Sequence, residues 1–187
     1  MIQTGQMRMI WGIINSMKTT SYFFLPILFL LLASCADVKE SPMLKVDGGK
    51  YSNFNLPNLK GKYISSNDFK GNYVLVNFWA TWCAPCVKEL PSLNSLNSEF
   101  SNSKNFKMVA INIGQNKEVV EKFFTDKSTQ INFTVLLDEN MELSEWNVQA
   151  IPTTFLINDK GKIIYKVEGE KEWDSPEFIS FISSIIN

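Results

Sequence analysis

The chain has 187 residues, 45% of them hydrophobic, and a formal net charge of -1 at pH 7. Its 18 basic and 19 acidic residues nearly balance and form no basic block, which excludes an electrostatic nucleic-acid-binding surface and a polybasic membrane patch. The length suits one globular domain with short additional segments.

The first distinctive element is an apolar run over residues 22–32, interrupted only by Pro26 and followed by a Leu-Ala-Ser-Cys motif that ends at Cys35. The run has the length of a signal-peptide core and is too short for a transmembrane helix, which needs about 20 apolar residues. The motif resembles a bacterial lipobox, in which the cysteine is lipidated and becomes the first residue of the mature protein. Two alternatives remain open: an ordinary signal peptide with an unrelated cysteine, and an uncleaved anchor.

These features divide the chain into three parts. Residues 1–34 are predicted to be a leader with a lipoprotein signal peptide, and Cys35 is the predicted lipidation site. Residues 35–50 are largely polar and contain Pro42 and the pair Gly48-Gly49, so we expect them to form a tether. Residues 51–187 form the predicted globular domain.

The predicted domain starts with a hairpin over 51–64 and continues with a strand over 73–79. The hairpin region alternates modestly between apolar and polar residues. The strand reads Tyr-Val-Leu-Val-Asn-Phe-Trp, which is short for a helix and rich in β-branched and aromatic residues. Its nearly continuous apolar character predicts a sheet that is covered on both faces.

Two cysteines follow this strand at the predicted start of a helix. From Val87 onward the apolar residues recur at helical intervals, so Cys83 lies at the mouth of the helix and Cys86 in its first turn. Unpaired N–H groups and the helix dipole favour a thiolate there, and two cysteines at this spacing can alternate between dithiol and disulfide.

The same spacing also occurs in structural disulfides, in zinc half-sites and in c-type haem attachment motifs. Zinc takes about four ligands, whereas this chain has no histidine and one cysteine besides the pair. Haem attachment requires a histidine at the position that Val87 occupies. Zinc and haem are therefore disfavoured, and a structural disulfide remains as the alternative to the redox pair that we favour.

The rest of the chain alternates between predicted strands and helices, which indicates parallel pairing with covered faces. In chain order we expect a strand over 106–113, a helix over 116–127, a strand over 131–137, a short helix over 138–146, strands over 153–157 and 162–167 joined by a turn, and a final helix capped by Asp174. The expected buried faces are Val119, Val120, Phe123 and Phe124 in the helix over 116–127, and Phe178, Ile182, Ile185 and Ile186 in the last one.

The most specific motif is the string from Asn77 to Pro91, whose centre reads Trp82-Cys83-Ala84-Pro85-Cys86. It resembles the active site of the thioredoxin superfamily and, over its full length, that of the TlpA/ResA-like thiol-disulfide oxidoreductases. The resemblance covers the chain from about Tyr51 to the end. It implies an α/β, thioredoxin-like three-layer fold with a central mixed sheet, an N-terminal hairpin and a central helix-strand insertion. It also implies that the redox group is the Cys83-Cys86 disulfide, with no other cofactor and no metal.

The resemblance further implies a substrate-binding surface made of Trp82, Pro85, Ile151 and Pro152. Pro152 matches the position at which thioredoxin-like folds have a cis proline facing the cysteines, and a cis X-Pro bond costs only about 0.5 to 1 kcal/mol. The alternative is an ordinary loop proline. The Ile151 backbone is then free to pair with an extended segment of substrate, and Trp82 is expected to contact a docked partner.

Proton handling is expected to depend on Glu89. Asn77 stands where thioredoxins proper carry a buried acid, and an amide does not titrate. Glu89 follows Cys86 by one helical turn and matches the glutamate of the ResA-like active site, so it can assist proton transfer to and from Cys86. The alternative is a solvated helix glutamate. The predicted catalytic residues are thus Cys83 as nucleophile, Cys86 as resolving thiol, and Glu89.

The predicted function is that of a protein-disulfide reductase of the bacterial cell envelope, lipid-anchored on the periplasmic side. The resemblance implies two kinds of partner: disulfide-bearing envelope proteins such as apocytochrome c, and a membrane thiol electron donor. A peroxiredoxin-like peroxidase is one alternative, although its pattern has a nearby arginine and the only arginine of this chain is Arg8. An envelope copper-binding or scaffold protein is another, and copper would need thioether or imidazole ligands beside the cysteines.

Overall fold

The computed structural model describes residues 41–49, 53–142 and 144–186. The strands in chain order are β1 (Leu44–Lys45), β2 (Asn55–Pro57), β3 (Tyr63–Ser65), β4 (Tyr73–Trp79), β5 (Phe106–Ile113), β6 (Thr134–Asp138), β7 (Thr153–Ile157) and β8 (Ile163–Glu168). The helices are α1 (Ala84–Glu99), α2 (Lys117–Asp126) and α3 (Pro176–Ile186), with short 3-10 helices at Ser66–Phe69 and Ser144–Trp146.

A mixed six-stranded sheet has the order β1-β8-β7-β4-β5-β6. Strands β4, β5 and β6 are parallel, whereas β7 pairs antiparallel with β4 and β8 pairs antiparallel with β7. Strands β2 and β3 form a separate two-stranded hairpin. The predicted central mixed sheet, N-terminal hairpin and helix-strand insertion, here α2 and β6, are thus confirmed.

The central strand β4 is buried on both faces because its side chains alternate between two cores. Leu75 and Trp79 face a cluster to which α1, α2 and α3 all contribute. Val76 and Phe78 face a second cluster that includes Phe54 and Leu56 of the hairpin region. Helices therefore cover one face of the sheet and the hairpin covers the other, which gives the three predicted layers.

Residues 41–49 do not form the free tether that we predicted for 35–50. Met43 is buried in the first core, and β1 adds an edge strand to the sheet by pairing with β8. Gly48 lies so close to Ile163 that an added Cβ would come within 2.9 Å of its Cβ. The globular domain therefore begins before the predicted boundary at 51. An apolar Met43-Leu44 pair inside a polar stretch is the signal that identifies it.

The prediction of a helix over 138–146 is wrong. Asp138 is the last residue of β6 and pairs with Ile113. Its side chain accepts a hydrogen bond from the backbone N–H of Glu142 at 2.7 Å, and its carbonyl accepts one from Met141. Met141 has a φ of 54°, which a right-handed helix does not allow. The chain therefore turns here, and a 3-10 helix at Ser144–Trp146 follows.

Two predicted details of the other helices also need correction. Val119 is 43% exposed although its neighbour Val120 is fully buried, because adjacent residues point about 100° apart around a helix. The cap of α3 is Ser175 and not Asp174: the backbone N–H of Phe178 donates to Ser175 Oγ at 3.4 Å. Since α3 begins at Pro176, the capping position falls on the residue directly before it.

The predicted leader over 1–34 and the predicted lipidation site Cys35 lie outside the described residues. Within the part of the chain that the structure describes, no helix is both long enough and apolar enough to cross a membrane.

Candidate active site

Cys83 occupies the N-cap position of α1, four residues after Trp79, the last residue of β4. Pro85 suits the first turn because a backbone N–H would find no partner there. Cys83 and Cys86 form a disulfide with an S–S distance of 2.08 Å and a Cα–Cα distance of 5.2 Å. The backbone N–H of Cys86 donates to Cys83 Sγ at 3.3 Å. After reduction, this donor and the helix dipole would favour the thiolate form of Cys83.

The two sulfur-bearing residues differ in access. Cys86 is fully buried, whereas Cys83 retains 6% of its surface and adjoins Trp82, which is 68% exposed. Pro85 is also exposed. Cys83 is therefore the residue that a partner protein can approach, and Trp82 presents an apolar ring beside it.

The loop before β7 completes the surface around Cys83. The Ile151–Pro152 peptide bond is cis, as expected from the resemblance. Because β7 pairs with β4, the loop lies next to the start of α1, and the Ile151 carbonyl oxygen is 3.6 Å from Cys83 Sγ. Ile151 is half-buried and Pro152 is buried. The Gly169 N–H donates to the Pro152 carbonyl at 2.8 Å, which fixes the position of the loop.

Glu89 is a buried member of a hydrogen-bond network, with an exposure of 1%. Its Oε1 accepts a bond from Asn77 Nδ2 at 2.8 Å. Its Oε2 accepts one from the Trp173 indole Nε1 at 3.0 Å and one from the Lys171 backbone N–H at 3.2 Å. Asn77 Nδ2 also donates to Thr154 Oγ1 at 2.9 Å. The alternative of a solvated helix glutamate is therefore wrong.

The pKa of Glu89 is raised to about 7, and burial is the main cause. Hydrogen bonds from Trp173, Asn77 and Lys171 oppose the effect of burial, whereas the Glu170 carboxylate adds to it. A carboxyl group with this pKa exchanges protons readily near neutral pH, which is the property required of a general acid or base. Perturbed carboxyl groups of this kind are concentrated at functional sites.

Sequence reasoning missed Gln115, which holds the loop before the cysteines. Its Oε1 accepts hydrogen bonds from the Thr81 backbone N–H at 2.8 Å and from Asn112 Nδ2 at 3.0 Å. Its Nε2 donates to Thr81 Oγ1 at 2.7 Å. Gln115 follows β5, and Thr81 follows the neighbouring parallel strand β4. The turn after β5 therefore holds the turn after β4 in place. The sequence carries no periodic signal for such a contact.

Trp173 and Thr154 were also missed, although both leave a trace in the sequence. Trp173 is the one aromatic residue in the charged stretch 168–175, and an isolated tryptophan in such a loop indicates burial. Thr154 is the second of two threonines that begin the otherwise apolar strand β7. Within the described residues, no group of three or more His, Cys, Asp or Glu side chains is placed to hold a metal ion.

Comparison with known proteins places these features in a wider context. The AhpC/TSA family model matches residues 48–166. Thiol-disulfide oxidoreductase ResA of Bacillus subtilis is 41% identical over 124 residues, which cover 66% of this chain and 68% of that protein. Thioredoxin-like protein YneN of the same organism is 34% identical over 119 residues, covering 63% of this chain and 68% of YneN.

Solved structures show the same relationship. StoA of Bacillus subtilis has a TM-score of 0.59 and 31% identity, covering 73% of this chain and 99% of that one. The thioredoxin domain of a thiol-disulfide oxidoreductase of Bacteroides vulgatus has a TM-score of 0.64 and 25% identity, covering 76% and 99% of the two chains. The similarity thus extends over nearly the whole described domain.

Proposed function

This chain belongs to the AhpC/TSA family and is a ResA-like thiol-disulfide oxidoreductase, and we propose that it reduces disulfide bonds of proteins outside the cytoplasm. Its redox group is the Cys83-Cys86 pair. The proposed partners are disulfide-bearing envelope proteins such as apocytochrome c, together with a membrane thiol that returns the enzyme to its dithiol form.

The observation that carries the proposal is the unequal placement of the two cysteines. Cys83 caps a helix and keeps 6% of its surface exposed, whereas Cys86 is fully buried in the first turn of that helix. The first position favours a thiolate that a partner can reach, and the second protects the resolving thiol from outside attack. Trp82, Pro85 and the Ile151 backbone supply the surface on which an extended substrate segment would lie.

The proposed reaction is two successive thiol-disulfide exchanges. The Cys83 thiolate attacks one sulfur of the target disulfide; a mixed disulfide forms, and the other target sulfur leaves as a thiolate that takes up a proton. Cys86 then loses its proton and attacks Cys83 Sγ, which releases the second target sulfur as a thiolate that also takes up a proton. The target gains two electrons and two protons, and the enzyme is left with the Cys83–Cys86 disulfide.

Glu89 is the proposed acceptor of the Cys86 proton. It lies three residues after Cys86 on the same helix, so both side chains belong to one face. Burial raises the pKa of Glu89 to about 7, close to the pH at which the proton must be taken and returned. Asn77 holds the carboxyl group in place without competing for the proton.

We also propose that the enzyme is attached to a membrane through a lipid on Cys35, on the periplasmic side of the cell envelope. The Leu-Ala-Ser-Cys motif after an apolar run supports this anchor. Cys35 is the one cysteine outside the redox pair, so its lipidation would leave no loose thiol to interfere with exchange.

Reduction of insulin disulfides tests the activity, with a Cys86→Ser variant as the mechanistic probe. We expect wild type to accelerate insulin reduction by dithiothreitol, and Cys86→Ser to lose turnover because it accumulates mixed disulfides through Cys83. A Cys83→Ser variant serves as the matched control and should trap nothing. If partner proteins instead accumulate on Cys86 in Cys83→Ser and not on Cys83 in Cys86→Ser, the two roles are the reverse of those proposed.

The peroxidase alternative is tested in the same preparation. Rapid consumption of hydrogen peroxide at the expense of the Cys83-Cys86 dithiol, without acceleration of insulin reduction, would contradict the proposed function.

A further inference from the structure

The segment 169–173, between β8 and α3, contacts the second and third turns of α1 at several points. Glu170 forms an ion pair with Lys88 at 2.6 Å. The Lys171 carbonyl accepts a hydrogen bond from Ser92 Oγ at 3.4 Å, and the Lys171 N–H donates to Glu89 at 3.2 Å. This segment therefore follows the same stretch of helix that carries Glu89.

Trp173 is the residue of this segment that reaches furthest into the protein. Its side chain is fully buried and packs on Phe178 of α3, with ring centroids 4.7 Å apart. The contact fixes the plane of the indole and directs its Nε1–H at Glu89 Oε2, 3.0 Å away. By contrast, the indole N–H of Trp79, which is equally buried, has no hydrogen-bond acceptor among the described residues.

We propose that Trp173 is a positioning residue for the exchange reaction: its indole N–H holds Oε2 of Glu89 and thereby sets the pH at which Glu89 accepts the proton of Cys86. The inference rests on the proposed role of Glu89. The indole and the Lys171 N–H both donate to Oε2 of Glu89. Among the described residues, Oε1 accepts a hydrogen bond from Asn77 alone.

The physical basis is the balance between burial and hydrogen bonding at one carboxyl group. Burial removes water from Glu89 and favours its neutral form, whereas N–H donors favour the carboxylate. On α1 the neighbouring titratable residues are Lys88 and Cys86, which is held in the disulfide. The segment 169–173 carries Glu170, whose carboxylate raises the pKa of Glu89, together with Lys171 and Glu172. Lys88 forms an ion pair with Glu170. From β4 and β7 the neighbours are neutral, Asn77 and Thr154.

The direct test is to titrate Glu89 by NMR in the oxidised full chain, with carbon-13 in the glutamate carboxyl groups and Glu89→Gln to identify the resonance. Trp173→Phe keeps an aromatic ring in the core but removes the donor. A hydrogen bond to a charged group is strong enough that its loss should move the Glu89 titration upward by about one pH unit, a tenfold change in proton affinity. A Trp173→Phe titration that superimposes on wild type would overturn the proposal.

Trp79→Phe is the matched control, because it removes an indole N–H that has no acceptor among the described residues. It should leave the Glu89 titration where it is in wild type, and an equal shift in both variants would also count against the proposal. If Trp173→Phe does not fold, benzothienylalanine at position 173 retains the two-ring shape without the N–H and gives the same two outcomes.

A second measurement separates this inference from the proposed function. The resolution rate of a preformed mixed disulfide should follow the shifted titration, with its pH midpoint displaced by the same amount in Trp173→Phe. A shifted titration with an unchanged rate profile would show that Trp173 controls the titration of Glu89 but that Glu89 does not receive the Cys86 proton.

Discussion

Asn77 provides Glu89 with a hydrogen-bond donor that carries no charge. Its Nδ2 donates to both Glu89 and Thr154, while its Oδ1 has no donor among the described residues. A carboxylate at this position would lie about as close to Glu89 as the amide does, and two such groups cannot both ionise readily. The amide therefore lets Glu89 titrate without a second acid beside it.

The buried carboxyl group makes a specific prediction about stability. Burial raises the pKa of Glu89 from 4.5 to about 7, so between these values the folded oxidised protein keeps a proton that the unfolded chain has lost. Stability must then fall as pH rises through this window and level off above it, by about 3 kcal/mol in total. In Glu89→Gln this loss should disappear, because the amide does not titrate.

Urea denaturation of oxidised wild type and Glu89→Gln at pH 5 and pH 8 measures the difference. Glu99→Gln is the control, since Glu99 is exposed at the far end of the same helix. It should keep the pH dependence of wild type. Equal pH dependence in wild type and Glu89→Gln would show that Glu89 titrates alike in the folded and unfolded chains.

At the same scale, the sequence predicts those site residues that lie in one short motif. Cys83 and Cys86 follow from helical spacing after an apolar strand, and the resemblance of the motif adds Glu89 and, outside the motif, the cis Pro152. Trp173 follows from neither, because it stands 84 residues after Glu89, and the contact depends on how α3 packs against α1. Such partners leave no periodic signal in a single sequence.

Among the elements, β4 and α1 agree with the sequence because their apolar patterns are long and unambiguous. The start of β6 does not: the strand begins at Thr134 and not at 131. Asn132 instead bonds to α1, with its backbone N–H donating to Asn94 Oδ1 at 3.0 Å and its Nδ2 donating to Ser98 Oγ at 2.7 Å. Side-chain contacts with a helix thus replace the ladder bonds that the apolar pattern predicted.

The junction between β5 and the active-site loop gives a prediction at this scale. Gln115→Ala removes three hydrogen bonds, two of them to Thr81, two residues before Cys83. We expect a loss of about 1 to 3 kcal/mol in stability, because the buried amide of Asn112 and the Thr81 N–H lose their acceptor. The loosened loop should also slow the reaction of reduced Cys83 with a protein disulfide.

Urea denaturation and stopped-flow mixing with oxidised insulin measure the two effects. Gln130→Ala is the control, because Gln130 is an exposed glutamine in the loop between α2 and β6, away from the cysteines. It should resemble wild type in both experiments. A Gln115→Ala protein with wild-type stability and reaction rate would mean that Thr81 is held by other contacts.

Across the whole molecule, the elements converge at one end of the sheet. The end of β4, the loop before β7 and the segment after β8 all meet the start of α1, so residues from 77 to 173 form a single site. The sequence predicts this convergence only through the resemblance of its central motif to a known fold. The early edge strand β1 escaped prediction because two residues are too few to show a period.

The last prediction concerns the attachment of the molecule. Because an apolar run ends in Leu-Ala-Ser-Cys, we expect a bacterial host that processes lipoproteins to cleave the chain before Cys35 and attach lipid to it. Mass spectrometry of the native N-terminus and fractionation of membranes measure this directly. Cys35→Ala should abolish the lipid, whereas Ser34→Ala, which keeps a small residue before the cysteine, should retain it. The purified Cys35→Ala protein should still reduce insulin, since the redox pair is Cys83 and Cys86. A mature chain that begins elsewhere, or carries an unmodified Cys35, would show that the domain is not held by this lipid.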